Sequence, residues 1–182
     1  MTRFNRFVLP LGGFVLLAVL LAVGLKQAPE KGVIKSPLVG KPAPAYALPD
    51  LLDPAAKLTS DDYRGRWHIV NVWGSWCFAC RDEHPVLLAI QQAKVIPILG
   101  IDWNDEEASG REWLTKLGNP YERVAVDREG RTAIAYGVTA APESFLINPQ
   151  GVIVKKITGM ITPKIWQDEI LPLLKSAGAV TP

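Results

Sequence analysis

Between Phe7 and Leu25 the chain carries no charged residue (FVLPLGGFVLLAVLLAVGL). An apolar run of that length predicts a helix roughly 28 Å long, close to the hydrocarbon thickness of a bilayer. Pro10 and Gly12-Gly13 are tolerable near the start of a membrane helix. Arg3 and Arg6 precede the run, which keeps that end in the cytoplasm and sends the rest of the chain across the membrane. A cleaved signal peptide is the competing reading, because Ala22 and Gly24 loosely form a small-x-small site. In both readings the remainder is exported, to a compartment where thiols oxidise.

The pattern then changes. Residues 26–39 are polar, carry Pro29, Gly32 and Pro37, and show no apolar period, so they read as a linker. The expected organisation is a stub and transmembrane anchor over 1–25, a linker over 26–39 and one globular domain over 40–182. The domain opens with the proline-rich lead-in Lys41–Pro49, an extended or edge-strand segment that Leu58-Thr59 can pair with, and a turn of helix at Ser60–Tyr63 follows.

From there, buried strands alternate with helices. Trp67–Trp73 and Val95–Ile101 are apolar, β-branched runs and read as strands. Cys77 to about Lys94 reads as a helix kinked at Pro85. Asp105–Leu117 is a helix stopped by Gly118-Asn119-Pro120. Arg123–Val126 is a short strand and Arg131–Tyr136 a short helix ending at Gly137. Glu143–Asn148 and Val152–Thr158 flank Pro149-Gln150-Gly151 as a hairpin. Thr162–Ser176 is a last helix with Pro163 at its first position. This order predicts an α/β fold, a mixed sheet with helices on both faces.

Composition narrows the chemistry. Twenty Lys and Arg against 18 Asp and Glu leave a net charge of +2. With no basic stripe interleaved with aromatics, nucleic acid is not an expected partner. A chain of 182 residues buries a core without staples, so its only two cysteines, Cys77 and Cys80, are not needed as scaffolding. A bridge between them closes a very short loop and gains little entropy. Both sit where a strand gives way to a helix. The N–H groups and partial positive charge at a helix N-terminus favour a thiolate and hold the Cys77 pKa below the ordinary thiol value. Cys80, one turn in and expected to be the more buried, resolves the mixed disulfide that Cys77 forms. The i, i+3 spacing suits a disulfide. Covalent haem attachment requires His after the second cysteine, where this chain has Arg81. Zinc requires about four ligands, and His68 and His84 are the only histidines. No metal or cofactor is expected, and His84 reads as an ordinary helix residue.

Val70-Asn-Val-Trp-Gly-Ser-Trp-Cys-Phe-Ala-Cys80 resembles the thioredoxin superfamily, and Ala141-Pro142 resembles the cis-proline segment of that superfamily. Cys80-Arg-Asp-Glu-His-Pro85, Gly100-Ile-Asp-Trp-Asn-Asp105, Gly118-Asn-Pro-Tyr121 and Gly137–Leu146 together resemble the membrane-anchored thioredoxin-like proteins of bacterial cytochrome c maturation, CcmG or DsbE. The resemblance implies a thioredoxin-like domain in the periplasm, held to the inner membrane by a single pass. It implies a thiol:disulfide oxidoreductase that reduces the haem-binding cysteines of apocytochrome c. It further implies re-reduction by a membrane thiol reductant of the DsbD type and contact with other maturation components. Trp76, Phe78, Ala141 and Pro142 would form the docking surface. The backbone beside Pro142 would pair with an extended peptide.

Two departures matter. Thioredoxins carry a buried Asp six residues before the first cysteine, and Asn71 stands there. The proton acceptor for Cys80 must be another group, with Glu143 the first candidate and Glu83 the second. Phe78-Ala79 replaces the intervening pair of many relatives, which ends in proline, so their redox potential does not transfer. Other readings are a membrane-tethered holdase for apocytochrome, a general thiol oxidase, or a peroxidase. The peroxidase reading needs Thr three residues before the reactive cysteine, where Gly74 stands.

Overall fold

The computed structural model describes the backbone of residues 5–27 and 36–180, and the side chains of residues 10–23 and 36–180. The chain divides into two units, Met1–Lys35 and Ser36–Pro182. In the first, helix α1 spans Asn5–Gln27. All of residues 10–23 are exposed, and among the described residues no helix is long and apolar enough to cross a membrane. Arg3 and most of the expected linker, residues 28–35, lie outside the described residues.

The second unit is built on a sheet ordered β5-β4-β3-β6-β7. Strands β3 (His68–Trp73), β4 (Ile98–Trp103) and β5 (Arg123–Asp127) run parallel. Strands β6 (Glu143–Ile147) and β7 (Ile153–Thr158) close it antiparallel, β6 lying beside β3. Helices α2 (Phe78–Gln92) and α3 (Glu107–Leu117) are the crossovers between the parallel strands. Both crossovers step outward in the same direction, and right-handed connections then place both helices on one face. Their Leu87, Ile90, Trp113 and Leu114 meet Ile69, Trp73, Ile98 and Leu146 of the strands there, with Ile170 and Leu174 from the C-terminal helices. The opposite face packs Val70, Val72, Leu99, Ile101, Phe145 and Ile147 under Tyr63, Ala133 and Tyr136. Helix α4 (Arg131–Ala135) and a small antiparallel sheet, β1 (Ala47–Pro49) with β2 (Lys57–Thr59), cover it.

The lead-in crosses that face and reaches both margins of the large sheet. Gly40 donates to the Ile153 carbonyl of β7, Ile153 returns a bond to Lys41, and Leu51 donates to the Val124 carbonyl of β5.

Two elements depart from expectation by more than a residue or two. Strand β4 begins at Ile98 because Pro97 cannot supply a ladder donor, although its carbonyl accepts from Ile69. The last helix is not continuous. It runs as α5 (Pro163–Ile165), a π turn over Trp166–Ile170 and α6 (Leu171–Ser176). Pro172 explains the widened turn, since its ring and missing N–H disrupt the ordinary four-residue bonding just before it.

Candidate active site

Cys77 is the N-cap of α2. Its amide bonds to the Gly74 carbonyl at 3.0 Å, and its Sγ accepts the Cys80 amide at 3.1 Å. The two cysteines form a disulfide with Cα atoms 5.3 Å apart. The expectation that Cys80 is the more buried fails, because both are 4% exposed. Capping by the Cys77 sulfur draws it in against the first turn of α2. What projects instead are its neighbours, Trp76 at 52% and Phe78 at 78% exposed. The Trp76 indole folds back over Gly74, where a Cβ would stand 2.5 Å from its Nε1. That N–H donates to the Trp103 carbonyl, and the ring meets Trp103 edge-on. The Ala141–Pro142 peptide bond is cis, and Ala141 packs against the same apolar cluster as both cysteines.

The two candidate glutamates part company. Strand β6 alternates, with Ser144 and Leu146 facing α2 and Phe145 and Ile147 facing away. Glu143 therefore points to the face opposite α2. Its Oε1 accepts from the Thr139 hydroxyl at 2.9 Å, and Lys156 Nζ lies 2.7 Å from Oε2 as an ionic contact rather than a directed hydrogen bond. Its first rank as proton acceptor for Cys80 is reversed by this placement. A carboxylate turned through the sheet and neutralised by a lysine is poorly placed to serve that thiol.

Glu83, the second candidate, stands on the α2 face. It lies one turn after Cys80 on α2, on the face that carries the disulfide, and is 1% exposed. Its Oε1 accepts the Ile161 amide at 2.6 Å and its Oε2 accepts from Asn71 Nδ2 at 3.1 Å. Burial pushes its pKa up to about 7, against the lowering effect of those two donors. A carboxyl that carries a proton near neutral pH can give it up and take it back.

Asn71 organises this pocket. Tyr121 donates its hydroxyl to Asn71 Oδ1 at 2.8 Å, leaving Nδ2 to serve Glu83 and Ser144 Oγ. Tyr121 also stacks on Trp73, and Gly100 makes room for both, since a Cβ there would stand 2.8 Å from Trp73 Nε1. The role of Tyr121 has no local sequence signal beyond its place in Gly118-Asn-Pro-Tyr121. On the other side of the loop, Asp105 accepts the Ser75 amide at 2.5 Å and the Ser75 hydroxyl at 2.9 Å. His84 is a packing residue. It lies edge-on to Trp113 with Nε2 3.0 Å from the Gly118 carbonyl, and burial lowers its pKa. Among the described residues no group of three or more His, Cys, Asp or Glu side chains is arranged to hold a metal.

Known proteins give this geometry its context. Residues 39–156 match the AhpC/TSA family. The chain is 43% identical over 165 residues to the thiol:disulfide interchange protein DsbE of Pseudomonas aeruginosa, spanning 91% of this chain and 90% of that one. It is 40% identical over 173 residues to the DsbE of Allochromatium vinosum, spanning 95% and 94%. The crystal structure of a Chlorobium tepidum protein described as DsbE superposes with a TM-score of 0.62 at 27% identity, covering 76% of this chain and 95% of that one. The solution structure of a Neisseria meningitidis protein described as a thioredoxin does so with a TM-score of 0.64 at 26% identity, covering 75% and 92%. With a thioredoxin-like fold and a Cys77–Cys80 pair at the mouth of a helix, the chain belongs to the AhpC/TSA family and, within it, to the thiol:disulfide oxidoreductases of the DsbE (CcmG) type.

Proposed function

We propose that this oxidoreductase works as a membrane-anchored reductant that delivers two electrons to the haem-binding cysteine pair of apocytochrome c in the periplasm. The observation that carries this reading is a CxxC disulfide ringed by exposed Trp76 and Phe78, beside a cis-Pro142 segment and backed by the buried Glu83. Such a surface suits an extended cysteine-bearing peptide: aromatic side chains cover its flanks and free backbone pairs with it. In the reduced protein, the Cys77 thiolate attacks the client disulfide, and one client sulfur leaves as a thiolate. Cys80 passes its proton towards Glu83 and attacks Cys77 Sγ. The Cys77–client bond breaks, the second client thiol leaves, and the Cys77–Cys80 disulfide described above remains. A membrane thiol reductant of the DsbD type reverses this oxidation, using the same docking face.

The anchor belongs to the same proposal. Its support is the uncharged run Phe7–Leu25 of the sequence; the described side chains of α1, residues 10–23, are all exposed and by themselves fall short of a spanning length. A helix apolar all round is at home in lipid. The charged stub at Arg3 and Arg6 faces the cytoplasm, so the Ser36–Pro182 unit lies in the periplasm.

The test is a trap. In the full-length protein, Cys80→Ser leaves the Cys77–client disulfide unresolved. An apocytochrome peptide carrying an oxidised CxxCH segment is expected to be captured covalently through Cys77, and capture is lost in Cys77→Ser. Absence of capture, or equal capture of unrelated disulfide peptides, overturns the client assignment. An equilibrium with glutathione that lies strongly on the oxidising side overturns the direction of electron flow.

A further inference from the structure

The α2 face holds a second buried acid that thiol exchange, as described, does not use. Asp102 is the penultimate residue of β4, 1% exposed, and neither carboxyl oxygen has a hydrogen-bond donor. Helix α3 closes over it at Gly110, where a Cβ would stand 2.5 Å from Oδ2. The charged and titratable groups that face it are Asp105 from the turn after β4, Glu107 and Arg111 from α3, and the Tyr121 hydroxyl ahead of β5. Arg111 is the one cation in this set, and its guanidinium is engaged by the Leu51 carbonyl at 2.7 Å and by Glu107 at 3.0 Å. Asn104 takes a left-handed φ of 50° between the two aspartates, and Asp105 acts on Asp102 both as a neighbouring charge and as a hydrogen-bond partner.

Two carboxylates this close, one of them buried and unpaired, cannot both carry charge without a large penalty. Asp105 already accepts the Ser75 amide, the Ser75 hydroxyl and the Glu106 amide, so it is the acceptor of the pair. The otherwise orphaned Asp102 gains a partner only by donating. We propose that Asp102 is a positioning residue for thiol exchange: as a neutral acid it donates to Asp105, and Asp105, so held, fixes Ser75, two residues before Cys77. Loss of that proton sets charge against charge and slackens the hold on Ser75. Trp76, which rests on the Trp103 carbonyl of the same stretch, loosens with it. Burial and the neighbouring Asp105 push the Asp102 pKa up to about 8, so the change falls on the alkaline side of neutrality.

The inference rests on thiol exchange itself and not on any client. The Ser75 amide resonance of the full-length, oxidised protein can be followed by NMR from about pH 6 to about pH 10. It is expected to shift with one midpoint near the Asp102 value, and the shift is expected to vanish in Asp102→Asn, whose amide still donates but does not ionise. With oxidised glutathione as a small disulfide substrate, Asp102→Asn keeps the neutral-pH rate within about twofold and loses the alkaline decline, whereas Asp102→Leu falls roughly tenfold. A Ser75 amide that stays flat over this range in the unaltered protein overturns the proposal, even if neither variant folds. A midpoint that persists in Asp102→Asn also overturns it. Failure to capture apocytochrome leaves these readouts untouched.

Discussion

On the α2 face of the sheet, Glu83 lies buried against Asn71 and the Ile161 amide, and no salt bridge among the described residues reaches it. On the other face, Glu143 lies buried beside Lys156, which is itself mostly covered. The two pockets are close neighbours in the ladder, since Asn71 pairs with Ser144 and Val72 with Glu143. The same residue type at nearly the same depth thus meets opposite electrostatics. A buried carboxyl given a cation is locked as half of an ion pair, which suits holding the loop of Thr139 in place. A buried carboxyl given only amide donors keeps a proton that can move. The second pocket suits the proton transfer proposed above, because its acid is incompletely compensated.

The comparison can be broken by removing the lysine. Lys156→Met leaves Glu143 buried without a counter-ion, and the expected loss of stability at neutral pH is about 3 to 4 kcal/mol in urea denaturation. Unchanged stability would mean that Lys156 does not compensate Glu143, and the contrast would disappear.

Glu83→Gln sharpens it from the other side. The folded pKa of Glu83 is raised, so its contribution favours folding fully below its ordinary value of about 4.5 and is lost as pH rises through about 7. The unaltered protein should therefore lose on the order of 3 kcal/mol across that window, and the glutamine variant should lack this part of the pH dependence. Its exchange rate should fall together with the neutral-pH inflection.

Tyr121→Phe is a smaller perturbation. It strips the hydroxyl from Asn71 Oδ1 and should cost about 1 kcal/mol of stability, read from chemical denaturation. Because the amide of Asn71 is then free to flip, the inflection assigned to Glu83 should move as well. Trp76→Ala is the smallest of the four in stability, within about 0.5 kcal/mol, because the ring is half exposed. Its effect should fall on client KM with little change in exchange with small thiols.

Much of this was legible in the chain. The strand ending at Trp73, the cap at Cys77 and the hairpin about Gly151 follow from apolar runs and turn residues that leave few alternatives. The ranking of the glutamates did not follow, for a definite reason. Strand β6 is buried on both faces along its whole length, so Glu143–Ile147 shows no alternation from which the direction of each side chain could be deduced. A one-residue change of parity would exchange Glu143 and Ser144. Tyr121 and Asp102 lie in motifs the sequence displays, but their roles are not legible there: Asn71, the partner of Tyr121, is 50 residues away, and Asp102 meets Asp105 across a turn in which Asn104 is left-handed. The π turn in the last helix escaped too, although Pro172 marks its place.

The lead-in that reaches both margins of the large sheet also has a bearing on traffic. Open edges attract any unfolded polypeptide that passes. Here one margin is occupied at Val124 by Leu51, and the other at Ile153 by Gly40 and Lys41. Both margins are thus capped at these points by the chain's own backbone, which leaves less ladder for a foreign strand to join.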